Sequence, residues 1–199
     1  SNMRAIVEAA LPLRIAAVIS NLPNAEGLAY ARAHGLATAV VDHRGRSRED
    51  FDAELSQHID RHAPDLVVLA GFMRILTDDF VRHYAGRLLN IHPSLLPAFP
   101  GLRTHEQAIQ AGVRLHGCTV HFVTPTVDHG PIVIQAAIAV RPDDTPQSLA
   151  ARVLAQEHLI YPQALRWFAE DRMKLGADGR VHLKNLPAFN EAPLRSPWE

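Results

Sequence analysis

Between residues 14 and 91, short apolar, β-branched runs alternate with stretches of helical spacing, and this alternation constrains the fold most tightly. Residues 14–20 (RIAAVIS) read as a strand buried on both faces, 38–42 as a second short strand, 65–70 (DLVVLA) as the clearest buried strand and 87–91 as the next. Between them, residues 26–34 carry helical spacing, with Gly35 placed as a C-terminal cap. Ser47 opens a second helix, with Asp50 in the capping-box position and Phe51, Leu55 and Ile59 on one face. Residues 77–84 make a third. Such an order predicts right-handed crossovers and an α/β fold: a mostly parallel twisted sheet with helices on both faces.

From His116 the pattern changes. Residues 116–124 and 132–140 are strands separated only by a Pro- and Gly-containing loop, too short for a crossover helix, so an antiparallel addition to the sheet is expected. Thr145-Pro146 is a helix start, with Thr as N-cap and Pro at the first helical position. That helix is expected to run towards Arg172 with an interruption near Pro162. Residues 177–180 (ADGR) read as a turn joining two short strands, and the Pro-rich last dozen residues as loosely ordered. No repeat or linker divides the chain, so residues 1–199 are expected to form a single domain.

Its 199 residues suit one α/β domain, and 47% hydrophobic content is that of a globular protein. A formal net charge of -1 supplies no global field for nucleic acid or membrane, so an anionic substrate must be held by local groups. No apolar run approaches the roughly 20 residues of a membrane span. Glu8 and Arg14 interrupt the N-terminal apolar stretch, which therefore does not read as a signal peptide. The lone cysteine, Cys118, forbids an intrachain disulfide, favours a cytoplasmic setting and reads as a small core residue of a strand.

In open α/β sheets ligands bind outside the carboxyl ends of the strands. That rule selects residues 71–75, 90–93 and 124–131, where Asn90, His92 and Asp128 stand out. Asn90 and His92 are two apart on an extended segment and so point to one side. Asp128 lies in a loop of Pro, His and Gly suited to presenting a carboxylate. Each residue also has a plainer reading: Asn90 satisfying loop backbone, His92 structural, Asp128 forming an Asx-turn.

Taken together, L-L-N-I-H-P-S-L-L-P (88–97), P-G-L-R-T-H (100–105), H-G-C-T-V-H-F-V (116–123) and D-H-G-P-I (128–132) resemble the folate-dependent glycinamide ribonucleotide transformylases. V-V-L-A-G-F-M-R-I-L (67–76) and Q-E-H-x-x-Y-P (156–162) extend the resemblance over most of residues 1–175. It implies transfer of formyl from 10-formyltetrahydrofolate, the co-substrate, to the amine of glycinamide ribonucleotide in purine biosynthesis, with no metal. It also implies that Asn90, His92 and Asp128 form the catalytic trio, with His121 orienting it. The folate is expected against Met73, Arg74, Ile75, Leu76, Val81, Leu88, Val123, Thr124 and Asp128, of which Leu88 reads equally as core. The ribonucleotide is expected against Ser1, Asn2, Gly71, Ile91, Pro93 and Glu157, of which Glu157 reads equally as a solvated helix residue. The partners implied are these two small molecules, with a homodimer as a candidate assembly.

The chain departs from the family in two places. Members begin with a strand and a G-x-G-S-N loop that holds the substrate phosphate at a helix N-terminus. Here residues 1–7 (SNMRAIV) match the S-N of that loop and the helix after it, so the strand and glycines are expected to precede the given sequence. Some relatives carry histidine where this chain has Arg103, whose guanidinium could instead approach phosphate or a carboxylate. Rival readings are a formyltetrahydrofolate hydrolase, a methionyl-tRNA formyltransferase, a metal-dependent hydrolase using some of His92, His105, His116, His121 and Asp128, and an inactive ligand-binding form. Histidine spacing matches no compact metal motif, and the net charge disfavours tRNA.

Overall fold

A computed structural model describes residues 1–186 and residue 196. The expected loose ordering of the last dozen residues falls almost wholly outside the described residues. Element order is α1 (Asn2–Glu8), β1 (Val18–Ser20), α2 (Glu26–Ala33), β2 (Thr38–Val40), α3 (Arg48–Asp60), β3 (Val67–Leu69) and α4 (Asp78–His83). These are followed by β4 (Leu88–His92), α5 (Thr104–Gln110), β5 (Leu115–Phe122), β6 (Ile132–Ala139), α6 (Pro146–Ala169), β7 (Met173–Leu175) and β8 (Val181–Leu183).

The α/β architecture is the expected one. β1 pairs with β2 and β3 with β4, both in parallel, whereas β5 and β6 add to β4 antiparallel in the order β3-β4-β5-β6. β7 and β8 form the expected terminal hairpin. Ser47 and Thr77 cap α3 and α4, their hydroxyls accepting from the Asp50 and Phe80 amides. At the edge of each parallel pair, bonds to the partner strand use Val18 and Ser20 on β1 and Val67 on β3. The intervening Ile19 and Val68 therefore turn their backbone groups the other way. A cavity of about 930 Å³ separates β1 from β3, with α1 and the end of α6 along its walls.

Two expectations need correction. Residues 14–17 lie outside β1, which is only three residues long. More telling, α6 is one 24-residue helix that passes through Pro162 rather than being interrupted there. A proline in a helix interior costs about 3 kcal/mol. Here Leu149, Val153, Ile160, Tyr161, Ala164 and Leu165 are buried from one helix in the same core as β4 and β5, which offsets that cost. The Tyr161 hydroxyl reaches the carbonyl oxygens of Leu69 at 2.8 Å and Leu89 at 3.1 Å, tying the helix to β3 and β4 beside Pro162. Cys118 is fully buried in β5, and burial pushes its thiol up to about 12, so it packs as a core residue. No helix among the described residues is long and apolar enough to cross a membrane.

Candidate active site

β4 is hydrogen-bonded on both sides, to β3 and to β5, which fixes the heights of Asn90 and His92. The register sets Asn90 opposite His121 and His92 opposite Thr119. Asp128 reaches them because the loop after β5 folds back tightly. A Cβ on Gly130 would stand 1.7 Å from the Phe122 carbonyl oxygen, so only glycine permits this close return. Asp128 itself adopts a left-handed φ of 56°, a conformation that aspartate tolerates better than most residues.

Side-chain geometry follows from these placements. His92, buried, holds Nδ1 3.4 Å from Asp128 Oδ2 and Nε2 3.0 Å from the Phe99 carbonyl oxygen. The Phe99 carbonyl thus accepts from Nε2 when that nitrogen carries a proton, and the Asp128 carboxylate is the charged group beside Nδ1. The second lone-pair partner of Asp128 Oδ2 is the Gly101 backbone N–H, at 2.9 Å. His121 Nδ1 lies 2.9 Å from the Phe122 carbonyl, which requires a proton on Nδ1. Burial holds this imidazole below its ordinary pKa, so Nε2 keeps its lone pair. That lone pair faces Asn90 Nδ2 at 3.4 Å, leaving the other amide hydrogen of Asn90 uncommitted. Asp128 Oδ1 lies 3.8 Å from the same His121 nitrogen.

Around this cluster, Met73 and Ile75 are 76% and 61% exposed on the loop after β3, and Val127 is exposed on the loop after β5. Leu76 and Val123 are partly buried against a core cluster formed by Phe51, Phe80, Tyr84 and Leu88. Arg74 lays its guanidinium 4.7 Å from the centroid of Phe51, with a buried Nε that has no partner. Thr124 is half-buried, its hydroxyl donating to the Thr126 carbonyl. Val81 and Leu88 are 4% and 1% exposed, so they stand in the core behind the open loops rather than on them. Gly71 takes a φ of +67° at the exposed turn that ends β3.

On the other side, Ser1 is exposed at the start of α1, whereas Asn2 is buried and donates to Glu157 Oε2 at 2.6 Å. Glu157 is buried on α6, which overturns the solvated-helix alternative. The Oδ1 atom of Asn2 is buried with no partner. Ile91 packs in the core, and the Pro93 carbonyl accepts from the Thr104 hydroxyl at 2.6 Å. Ser1, Asn2 and Gly71 border the cavity between β1 and β3.

Sequence reasoning did not find the backbone partners of the trio, Phe99 O and Gly101 N, because a backbone group leaves no residue-type signal. It also did not find α5, whose N-cap, Arg103, is left-handed and makes no side-chain cap. Arg103 itself is exposed, 3.9 Å from Glu106. His105 and His116 pair at 3.2 Å. Burial lowers both, His116 to about 4, with a further lowering from His105 and His92. Among the described residues no three His, Cys, Asp or Glu side chains converge as a metal-ligand group.

The described residues match known proteins over most of their length. The formyl transferase family model matches residues 2–165. The chain is 51% identical over 180 residues to phosphoribosylglycinamide formyltransferase of Escherichia coli (strain K12), covering 88% of this chain and 85% of that protein. The structure of phosphoribosylglycinamide formyltransferase from Coxiella burnetii superposes with a TM-score of 0.87 at 47% identity, covering 92% and 87% of the two chains. A formyltetrahydrofolate deformylase from Pseudomonas syringae gives 0.84 at 32% identity, and the match spans 62% of its chain. This chain belongs to the formyl transferase family.

Proposed function

We infer that this chain is a phosphoribosylglycinamide formyltransferase, moving a formyl group from 10-formyltetrahydrofolate to the amine of glycinamide ribonucleotide. The observation that carries the reading is the meeting of Asn90, His92, Asp128 and His121 from β4, β5 and a loop at one strand end. The 51% and 47% identities to proteins of that name favour transfer over the hydrolysis suggested by the more distant deformylase. A net charge of -1 over the given residues supplies no field for a tRNA substrate.

The folate donor supplies an activated formyl carbon. The amine nitrogen forms the new C–N bond, the bond from carbon to the folate nitrogen breaks, and the proton lost by the amine goes to the folate nitrogen. Negative charge develops on the formyl oxygen on the way. The uncommitted amide hydrogen of Asn90 is a neutral donor for that oxygen, and the His92 ring brings positive charge beside it. Asp128, fixed by Gly101 and His92, is the carboxylate that accepts and returns the moving proton. Met73, Ile75 and Val127 offer apolar surface to the flat pterin, and Arg74 offers a cation to the carboxylates of the donor. Asn2 and Glu157 suit ribose hydroxyls, and the backbone at Ser1 suits phosphate.

The test is an assay with both substrates. Formyl appearing on the ribonucleotide amine, and only when the ribonucleotide is present, supports the reading. Formate released at an unchanged rate without ribonucleotide favours the deformylase alternative.

A further inference from the structure

The segment between β4 and α5 delivers two backbone groups to the trio, yet its own conformation is costly. Phe99 and Arg103 are non-glycine residues at φ 54° and 55°, and Phe99 is bulky as well. Such conformations persist only where the surroundings over-determine them. Buried hydroxyls supply that restraint. Ser94 Oγ donates to the Ala98 carbonyl at 2.6 Å, and Thr104 Oγ1 to the Pro93 carbonyl at 2.6 Å.

Thr119 does most. It is fully buried in β5, directly opposite His92 in the ladder, and its hydroxyl is bonded away from the trio. Its hydroxyl donates to the Ser94 carbonyl at 2.7 Å and accepts from the Leu96 amide at 3.1 Å and from Gln135 Nε2 at 2.9 Å. One proton and two lone pairs are thereby all used. Gln135, reaching from β6, gives its Nε2 to the Leu96 carbonyl at 2.9 Å as well. Both polar groups of the Leu96 backbone and the Ser94 carbonyl are therefore fixed from the far strands.

We propose that Thr119 and Gln135 are positioning residues for formyl transfer: by fixing the backbone at Ser94 and Leu96, they hold the Phe99 carbonyl against His92 and the Gly101 amide against Asp128. The proposal rests on the reading of the trio given above. Thr119→Val removes the hydroxyl at nearly constant volume and leaves the Leu96 N–H and Ser94 carbonyl without it. Displacements of about 1 Å at reacting groups cost up to about 100-fold in rate. Thr119→Val is expected to lower kcat about 10- to 100-fold with KM for both substrates within about threefold, while Thr119→Ser stays within about twofold of wild type.

The experiment combines steady-state kinetics, melting curves and 15N spectra of the His92 ring in wild type, Thr119→Val, Thr119→Ser and Gln135→Met. The proposal expects the His92 Nε2 signal to move in Thr119→Val and Gln135→Met and to stay in place in Thr119→Ser. Should Thr119→Val not fold, Gln135→Met, altered at an exposed edge position, carries the same readouts. Unchanged His92 signals, equal damage from Thr119→Ser, or a kcat that falls only with the folded fraction would overturn the proposal. If the wild-type chain transfers no formyl group, the functional reading fails, and the ring spectra still decide whether Thr119 and Gln135 position His92.

Discussion

Asn90 and His121 face each other across the β4–β5 ladder, with Asn90 Nδ2 3.4 Å from His121 Nε2. The direction of that contact is set from behind, because the Phe122 carbonyl claims the proton on His121 Nδ1. A neutral ring can therefore only accept at Nε2. It orients the Asn90 amide so that one hydrogen faces His121 and the second is left over, free for the substrate contact proposed above. Replacing His121 by Phe removes the acceptor and keeps a ring of similar size. The expected result is a loss of kcat of about 10- to 100-fold with substrate KM little changed, read from steady-state kinetics.

His105, His116 and His121 are all held below the ordinary histidine pKa, chiefly by burial. In the unfolded chain they take protons near pH 6.5, whereas the folded chain resists until lower pH, to about 4 for His116. The unfolded state thus binds more protons in that window, and stability falls as pH drops through it. Melting temperature is expected to decline from pH 7 towards pH 4, and His116→Gln to flatten the decline. A wild-type profile with no slope there would contradict the assignment of these rings as buried and neutral.

Met73 and Ile75 are exposed apolar side chains with little packing to lose. Met73→Ala and Ile75→Ala are expected to change stability by no more than about 0.5 kcal/mol. Both should raise KM for 10-formyltetrahydrofolate several-fold while KM for the ribonucleotide stays put. Melting curves together with the two KM values check this, and an equal rise in both would remove these residues from the folate side.

Glu157 is buried and bonded to Asn2, so its carboxylate is already oriented. Glu157→Gln keeps the shape and removes the charge. We expect KM for glycinamide ribonucleotide to rise on the order of 10-fold, with a smaller change in kcat, as befits loss of ground-state binding. A variant whose KM matches wild type would leave Glu157 a purely structural partner of Asn2.

Much of this arrangement is legible in residue types alone. The apolar runs locate β1 to β6, Ser47 and Thr77 mark two helix starts, and the N-x-H spacing places Asn90 and His92 on one side of β4. Asp128 is legible only through its motif, because its approach depends on a fold-back that Gly130 permits. Pro162 misleads because local propensity says nothing of the core that Tyr161 and Leu165 enter from the same helix. α5 is missed because it is seven residues long and the hydroxyl of its first residue, Thr104, is spent on the Pro93 carbonyl rather than on a cap. Glu157 is ambiguous in sequence because burial, not residue type, separates an inward-facing carboxylate from a solvated one.

Asp128, proposed as the proton-accepting carboxylate, is held by the Gly101 amide and lies 3.4 Å from His92. Asp128→Asn keeps an oxygen that can still accept from Gly101, and it removes the charge that pairs with His92. The most direct measurement is the single-turnover rate of formyl transfer to glycinamide ribonucleotide by Asp128→Asn at neutral pH, alongside its melting curve. With Asp128 in that role, the rate falls by about 100-fold or more in a protein that melts as wild type does. A folded variant that transfers formyl at the wild-type rate would contradict it.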